Sequence, residues 1–311
     1  MLTNDFTWSL SRAATFDECP RKYWLSYYGS WGGWASDAPP QAKAAYVLKK
    51  LKTRHMWAGE VVHATIERVL RAWRFGQEPL ESDVEADAVA RMRRDFAASR
   101  DRRYVTDPKS CALFEHHYGE VVEDRKWADV KSHVVACLRT FFRSRWAAEL
   151  RAFAPEDFLS VEGFARTDVS GVPVIVKPDL AHRQGEDGVR VIDWKTGRSQ
   201  GGPDDAAEPR QLALYGLYAA GQWGVPLASI RTLAANLAHG DGEETVMTPE
   251  AASEIAAHVS KSAGEMIARL QGRDALRNEA VQADFPMTDD VATCRRCALK
   301  ELCFGEGWKD L

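Results

Sequence analysis

The stretch Lys177 to Gly197, KPDLAHRQGEDGVRVIDWKTG, constrains this chain more than any other. Apolar-rich runs at Val174–His182 and Val189–Asp193 flank Gln184-Gly-Glu-Asp-Gly188, which is turn chemistry. An earlier run, Leu159–Val169, alternates in the same manner, so three antiparallel strands joined by tight connections are expected. Side chains alternate faces along a strand. Asp193 and Lys195 therefore point one way while Ile192 and Trp194 face the opposite layer. The hairpin register can bring Asp179 beside Asp193, which gathers two carboxylates and one ammonium on one face of a sheet.

Around this sheet the sequence reads as helix. Gln41–Phe75 carries apolar residues at helical spacing and ends at Gly76 and Pro79. Further helical runs cover about Val84–Ser99 and Val121–Phe153, and another covers Glu208–Gly221. Strand candidates at Ile230–Leu237 and Glu243–Met247 precede a last helix, which Thr248-Pro249-Glu250 opens with a cap and a first-turn proline. Ser30–Pro40, with its Gly and Pro, reads as a loop. The fold class is α+β, with the helical part and the sheet sharing a cleft. The expected divisions are an N-terminal segment 1–40, a helical region 41–155, a core 156–284 and a cysteine-rich tail 285–311, all within one compact unit.

A net charge of −4 gives no global basic signal, so any nucleic-acid site has to be a local patch. The start lacks a basic and apolar leader pattern, and no apolar run has the length of a bilayer span. A soluble cytoplasmic protein is expected. Six cysteines are too few for a secreted disulfide framework. Cys111 and Cys137 stand alone in helical stretches and read as buried apolar residues.

The paired carboxylates of Asp179 and Asp193 are hard oxygen ligands that suit Mg²⁺ or Mn²⁺. Lys195 beside them can position an attacking water and stabilise charge developing on a phosphate. D-x-K alone also suits a solvent-facing, salt-bridged strand. Its company argues otherwise. Gly59 and His63 lie one helical turn apart, where an imidazole can reach a metal and a glycine permits close approach. Gln211 and Tyr215 share a face of the helix after the sheet.

These residues, in this order, resemble the RecB-like branch of the PD-(D/E)XK nuclease superfamily: a GxxxH helix, an acidic strand residue after proline, a D-x-K strand and a QxxxY helix. The resemblance implies a mixed central sheet flanked by helices. It implies that His63, Asp179 and Asp193 bind the metal with the backbone carbonyl of Trp194, and that Lys195 acts on the nucleophilic water. Gln211 and Tyr215 would contact DNA or support the site, and Glu162 would support it from the first strand. The implied activity is hydrolysis of DNA phosphodiesters, exonucleolytic on single-stranded or frayed ends. The alternative is a non-catalytic or partner-activated DNA-binding module on the same scaffold. The chain contains no Gly-Lys dipeptide and hence no phosphate loop, so a helicase, integrase or other DNA-processing function would come from a partner. Repair, CRISPR adaptation, phage and defence settings all stay open.

Cys294, Cys297 and Cys303 crowd the end of the chain, and Cys19 sits near its start in Phe16-Asp-Glu-Cys-Pro-Arg-Lys-Tyr-Trp24. This segment resembles the first-ligand segment of iron–sulfur members of the family, such as the AddB nuclease domain and the CRISPR-associated nucleases. The resemblance implies a [4Fe–4S] cluster on four thiolates, clamping the N- and C-terminal segments together. A Cys₄ zinc site uses the same ligands and is the competing reading. Arg91, Arg93, Arg94, Arg100, Arg102 and Arg103, with Arg143, Arg145 and Arg151, suit either a DNA path or a solvated helix face.

Overall fold

The computed structural model describes residues 3–185, 187–197 and 203–310, excepting the side chains of 203–207. In chain order the helices are α1 (Leu10–Glu18), α2 (Pro20–Trp24), α3 (Pro40–Leu48), α4 (Arg54–Arg74), α5 (Glu81–Arg100), α6 (Phe114–Tyr118), α7 (Asp124–Arg143) and α8 (Arg145–Arg151). Five strands follow: β1 (Phe158–Val161), β2 (Ala165–Val169), β3 (Val172–Val176), β4 (Leu180–Gln184) and β5 (Gly188–Lys195). Then come α9 (Pro203–Trp223), β6 (Ile230–Asn236), β7 (Asp241–Val246), α10 (Pro249–Ile267), α11 (Val291–Arg296) and α12 (Lys300–Phe304).

A mixed sheet forms in the order β1-β4-β5-β6-β7. Only β5 and β6 pair in parallel. A parallel pair needs a crossover, and α9 supplies it. Strands β2 and β3 make a separate hairpin. Its turn is Ser170-Gly171, with φ of 54° and 80°, the left-handed pair that matches strand twist.

The sequence reading of three strands needs correction here. Leu159–Val169 splits into β1 and β2 because Glu162 takes φ 51° and its N–H turns to donate to Asp179 O at 2.8 Å. Val174–His182 splits at Lys177-Pro178-Asp179, where proline has no N–H for a ladder. Nor is Gln41–Phe75 one helix. Lys52 leaves the helical path to bridge Leu113, and Thr53 recaps α4 by accepting from Met56 N. Ser144 likewise turns extended and caps α8, dividing the third helical run.

Both sheet faces are covered. Ile192, Trp194, Leu180 and Leu233 pack on α4, α5, α7 and α8, with Phe141 and Trp73 central. Val189, Val191, Ala181 and Ile230 pack on α9 and α10 through Leu214, Tyr218, Val259 and Met266. Alternation along β5 thus has the layers expected for it. A smaller cluster around Leu25, Leu48, Leu51, Tyr104 and Leu299 underlies the cysteine tail. Among the described residues no helix is long and apolar enough to cross a membrane.

Trp8 ties the N-terminal segment into this core. It is fully buried, exchanges backbone bonds with Pro173 and Ile175 beside β3, and donates its indole N–H to Ser262 Oγ at 3.1 Å. Trp8→Ala is expected to destabilise the fold by about 3–5 kcal/mol, the range for emptying a buried aromatic position. Urea unfolding monitored by circular dichroism checks this.

Candidate active site

Leu180 pairs with Ile192 and Ala181 with Val191. One step further, the same register sets Asp179 opposite Asp193. Asp179 Oδ2 accepts from Trp194 N at 2.7 Å, which fixes its carboxylate at the end of the sheet. The Trp194 N–H is the donor that holds this carboxylate. Helix α4 brings His63 there, with Nδ1 3.1 Å from Asp179 Oδ1 and 3.6 Å from Glu162 Oε1. Gly59 explains the close approach: a Cβ there would stand 3.2 Å from Thr196 Oγ1.

Ligand atoms of His63, Glu162 and Asp179 all lie within 4.8 Å of one another. Glu162 Oε1 is buried and has no hydrogen-bond partner. A buried carboxylate oxygen without a donor is costly unless a cation meets it. The donor set, two carboxylates and an imidazole, fits Mg²⁺ or Mn²⁺. Glu162 achieves this position only through its left-handed backbone, a strained arrangement for a non-glycine residue.

Asp193 does not belong to that trio. Its Oδ2 meets Lys195 Nζ at 2.7 Å and its Oδ1 accepts from Gln211 Nε2 at 3.1 Å. Lys195 Nζ also donates to Gln211 Oε1 at 2.7 Å. An ammonium can only donate, so the orientation of the Gln211 amide is settled. Gln211 Nε2 then reaches Tyr215 OH at 3.0 Å, and that hydroxyl donates to Lys177 O at 3.0 Å. Tyr215 is buried, and its hydroxyl bridges Gln211 to the backbone of Lys177.

Burial opposes charge on His63, but the carboxylates of Asp179 and Glu162 outweigh it and push the imidazole up to about 10. Burial likewise raises Asp179, with the neighbouring Asp193 and Glu162 charges adding and His63 opposing. Glu162 is held down at about 2: burial raises it, but the His63 imidazole and the Lys177 ammonium beside it prevail. Lys177, 2.5 Å from Glu162 Oε2, is a site residue the sequence reading passed over. Only its place beside Pro178-Asp179 could have suggested it.

Cys19, Cys294, Cys297 and Cys303 line one apolar cavity with Leu25, Met287 and Phe304. Cys19 Sγ accepts from Lys22 N and Cys297 Sγ from Leu299 N. Burial and the neighbouring sulfurs raise Cys303 to about 11, so positive charge is needed for that thiol to ionise. A single zinc with 2.3 Å arms would need sulfurs about 3.8 Å apart. Among the described residues no three cysteine sulfurs come within 4.8 Å of one another.

Cys111 and Cys137 lie elsewhere, in or against the helical core. The basic stretches carry partners of their own: Arg91 pairs with Glu60 and Asp95, Arg100 and Arg103 with Asp101, and Arg143 with Glu81. Arg151 stacks over Trp73 at 5.0 Å.

The fold and site define a class: a mixed sheet that presents paired carboxylates, an imidazole and a lysine at one strand end. The family model described as the PD-(D/E)XK nuclease superfamily matches residues 7–304, and the chain belongs to that superfamily. Among solved structures, the crystal structure of SSO0001 is similar at 15% identity, over 67% of this chain and 82% of that one, with a TM-score of 0.31. No curated protein matches the sequence.

Proposed function

We propose that the protein is a divalent-metal-dependent DNA exonuclease acting on single-stranded or frayed ends, clamped by a [4Fe–4S] cluster. The observation that carries the nuclease reading is the convergence of His63, Glu162 and Asp179 beside the Asp193–Lys195–Gln211 network. When bound, Mg²⁺ or Mn²⁺ would supply charge to the phosphate and acidify the attacking water. His63, Glu162 and Asp179 would hold it, and Asp193, already beside Lys195, would complete the set. Lys195 would orient the water and stabilise charge on phosphorus-bound oxygen. Gln211 keeps the lysine in place, and Tyr215 keeps Gln211 in place. Release of an end label as mononucleotide or short products, against internal cuts in a circular single strand, tests the exonucleolytic part.

The four cysteines that line one apolar cavity, one from the N-terminal segment and three from the tail, support the cluster. Iron and acid-labile sulfide in anaerobically purified protein would support that reading; zinc without sulfide would overturn it.

Metal binding should depend on pH through His63. The imidazolium stabilises the metal-free fold fully below its ordinary pKa of about 6.5, and this contribution is lost as pH rises through about 10. A metal must displace that proton. Between pH 7 and 9, Mn²⁺ affinity measured by calorimetry is expected to tighten about tenfold per pH unit. In His63→Gln the slope should flatten.

A further inference from the structure

Trp31 and Trp34 leave 40% and 45% of their surface exposed, an unfavourable place for large apolar side chains. The turn between them explains how they are held there. Gly32 takes φ 75°, and a Cβ on Gly33 would lie 2.3 Å from Ala42 O. The turn can rest on α3 only because both residues are glycine. The indoles meet edge to face at 5.1 Å, and Trp34 meets Tyr46 at 5.8 Å. Lys50 and Lys49 lie over the Tyr46 ring at 3.8 and 5.4 Å.

Those lysines border a groove of about 430 Å³, whose cations are Lys22, Lys49, Lys50 and Arg296. Lys22 is paired with Glu18 at 2.5 Å. Among the described residues Lys49 and Lys50 meet no carboxylate: Lys49 donates to Ser26 O and Ser30 Oγ, and Lys50 to Pro108 O. Arg12 adds charge behind the groove, 4.5 Å over Tyr27. Burial, with Lys50 and Arg12 nearby, lowers Lys49 to about 8. The groove reaches Thr53 and Met56 at the start of α4. Met56 and His63 are two turns apart on that helix, so they share a face and lie about 10 Å apart along its axis.

We propose that this surface binds single-stranded DNA, with Lys49, Lys50 and Arg296 on phosphates and Trp31 and Trp34 stacking on bases. It rests on the nuclease reading for the direction of the strand toward His63. Unpaired strands suit such a surface, because their base faces are free to stack on aromatic rings. Bases in a duplex are already stacked on one another.

The test is fluorescence anisotropy of a labelled oligothymidylate of about 20 nucleotides, titrated with full-length protein without divalent metal. Trp34→Ala is expected to weaken binding about tenfold. Lys50→Ala combined with Arg296→Ala should reduce the slope of log affinity against log salt by about 1.4, two phosphates at about 0.7 each. Lys131→Ala, on the exposed face of α7, should change neither. Thermal melts select folded variants, and the aromatic and basic variants probe the surface independently. Unchanged affinity and slope in folded variants would overturn the proposal, as would equal affinity for blunt duplex or tighter binding of RNA of the same sequence. Binding is read without cleavage. A groove-dependent binder that cuts nothing would sink the nuclease reading alone, and an active nuclease indifferent to these substitutions would sink this one alone.

Discussion

Folded Lys195→Ala protein is expected to cut DNA about 10³-fold more slowly than wild type, the scale of losing one preorganised charge-stabilising donor. Lys195 Nζ is held at 2.7 Å from both Asp193 Oδ2 and Gln211 Oε1, so its position is set before substrate arrives. Asp193→Ala should cost at least as much, because it removes a carboxylate and releases the lysine together. Gln211→Ala removes only the restraint, and a smaller loss of about 10–10² is expected, since even a slight misplacement of a catalytic group is expensive. That loss should fall on kcat more than on KM. Single-turnover cleavage at saturating metal separates these effects from weakened metal binding.

The second large effect concerns the cysteines. Cys297→Ser or Cys19→Ser should release iron and sulfide and lower the melting temperature by roughly 10 °C. The two tail helices are thinly packed: α11 buries no residue and α12 buries only Lys300, although Leu299 between them is buried against Leu25, Leu48 and Tyr104. Lys300 sits within about 5 Å of the Phe114, Tyr118 and Trp308 rings, and Tyr118 OH donates to Ala298 O. Ligation closing a chain loop this long contributes about 5–6 kcal/mol through the unfolded state, and each kcal/mol moves the midpoint of a chain this size by about 1.5–2 °C. Differential scanning calorimetry with iron analysis on the same samples checks both parts. A serine variant that loses iron and melts with wild type would show the cluster to be structurally idle.

Much of the site was legible because its elements obey local rules. Period-two alternation placed Asp193 and Lys195 on one face of β5, and helical spacing placed Gln211 with Tyr215. What sequence could not give was backbone strain and long-range contact. Glu162 looked like an ordinary strand residue in a supporting role. Its φ of 51° breaks the strand and turns its carboxylate toward His63, and this depends on its bond to Asp179 O, not on its neighbours in sequence. Asp193 is engaged with Lys195 and Gln211, contacts that alternation along one strand does not reveal. The Gly32-Gly33 turn read as a loop. Its packing on α3 and the exposed indoles it holds appear only once α3 is in place.

The most direct test of the account is cleavage of linear single-stranded DNA by cluster-loaded wild type and Lys195→Ala, each with Mn²⁺ and with chelator. The account predicts cutting by wild type with metal, none with chelator, and almost none by the folded Lys195→Ala protein at equal metal occupancy. Wild-type protein that binds metal and DNA yet leaves every strand intact, or a Lys195→Ala protein that cuts as fast, would contradict it.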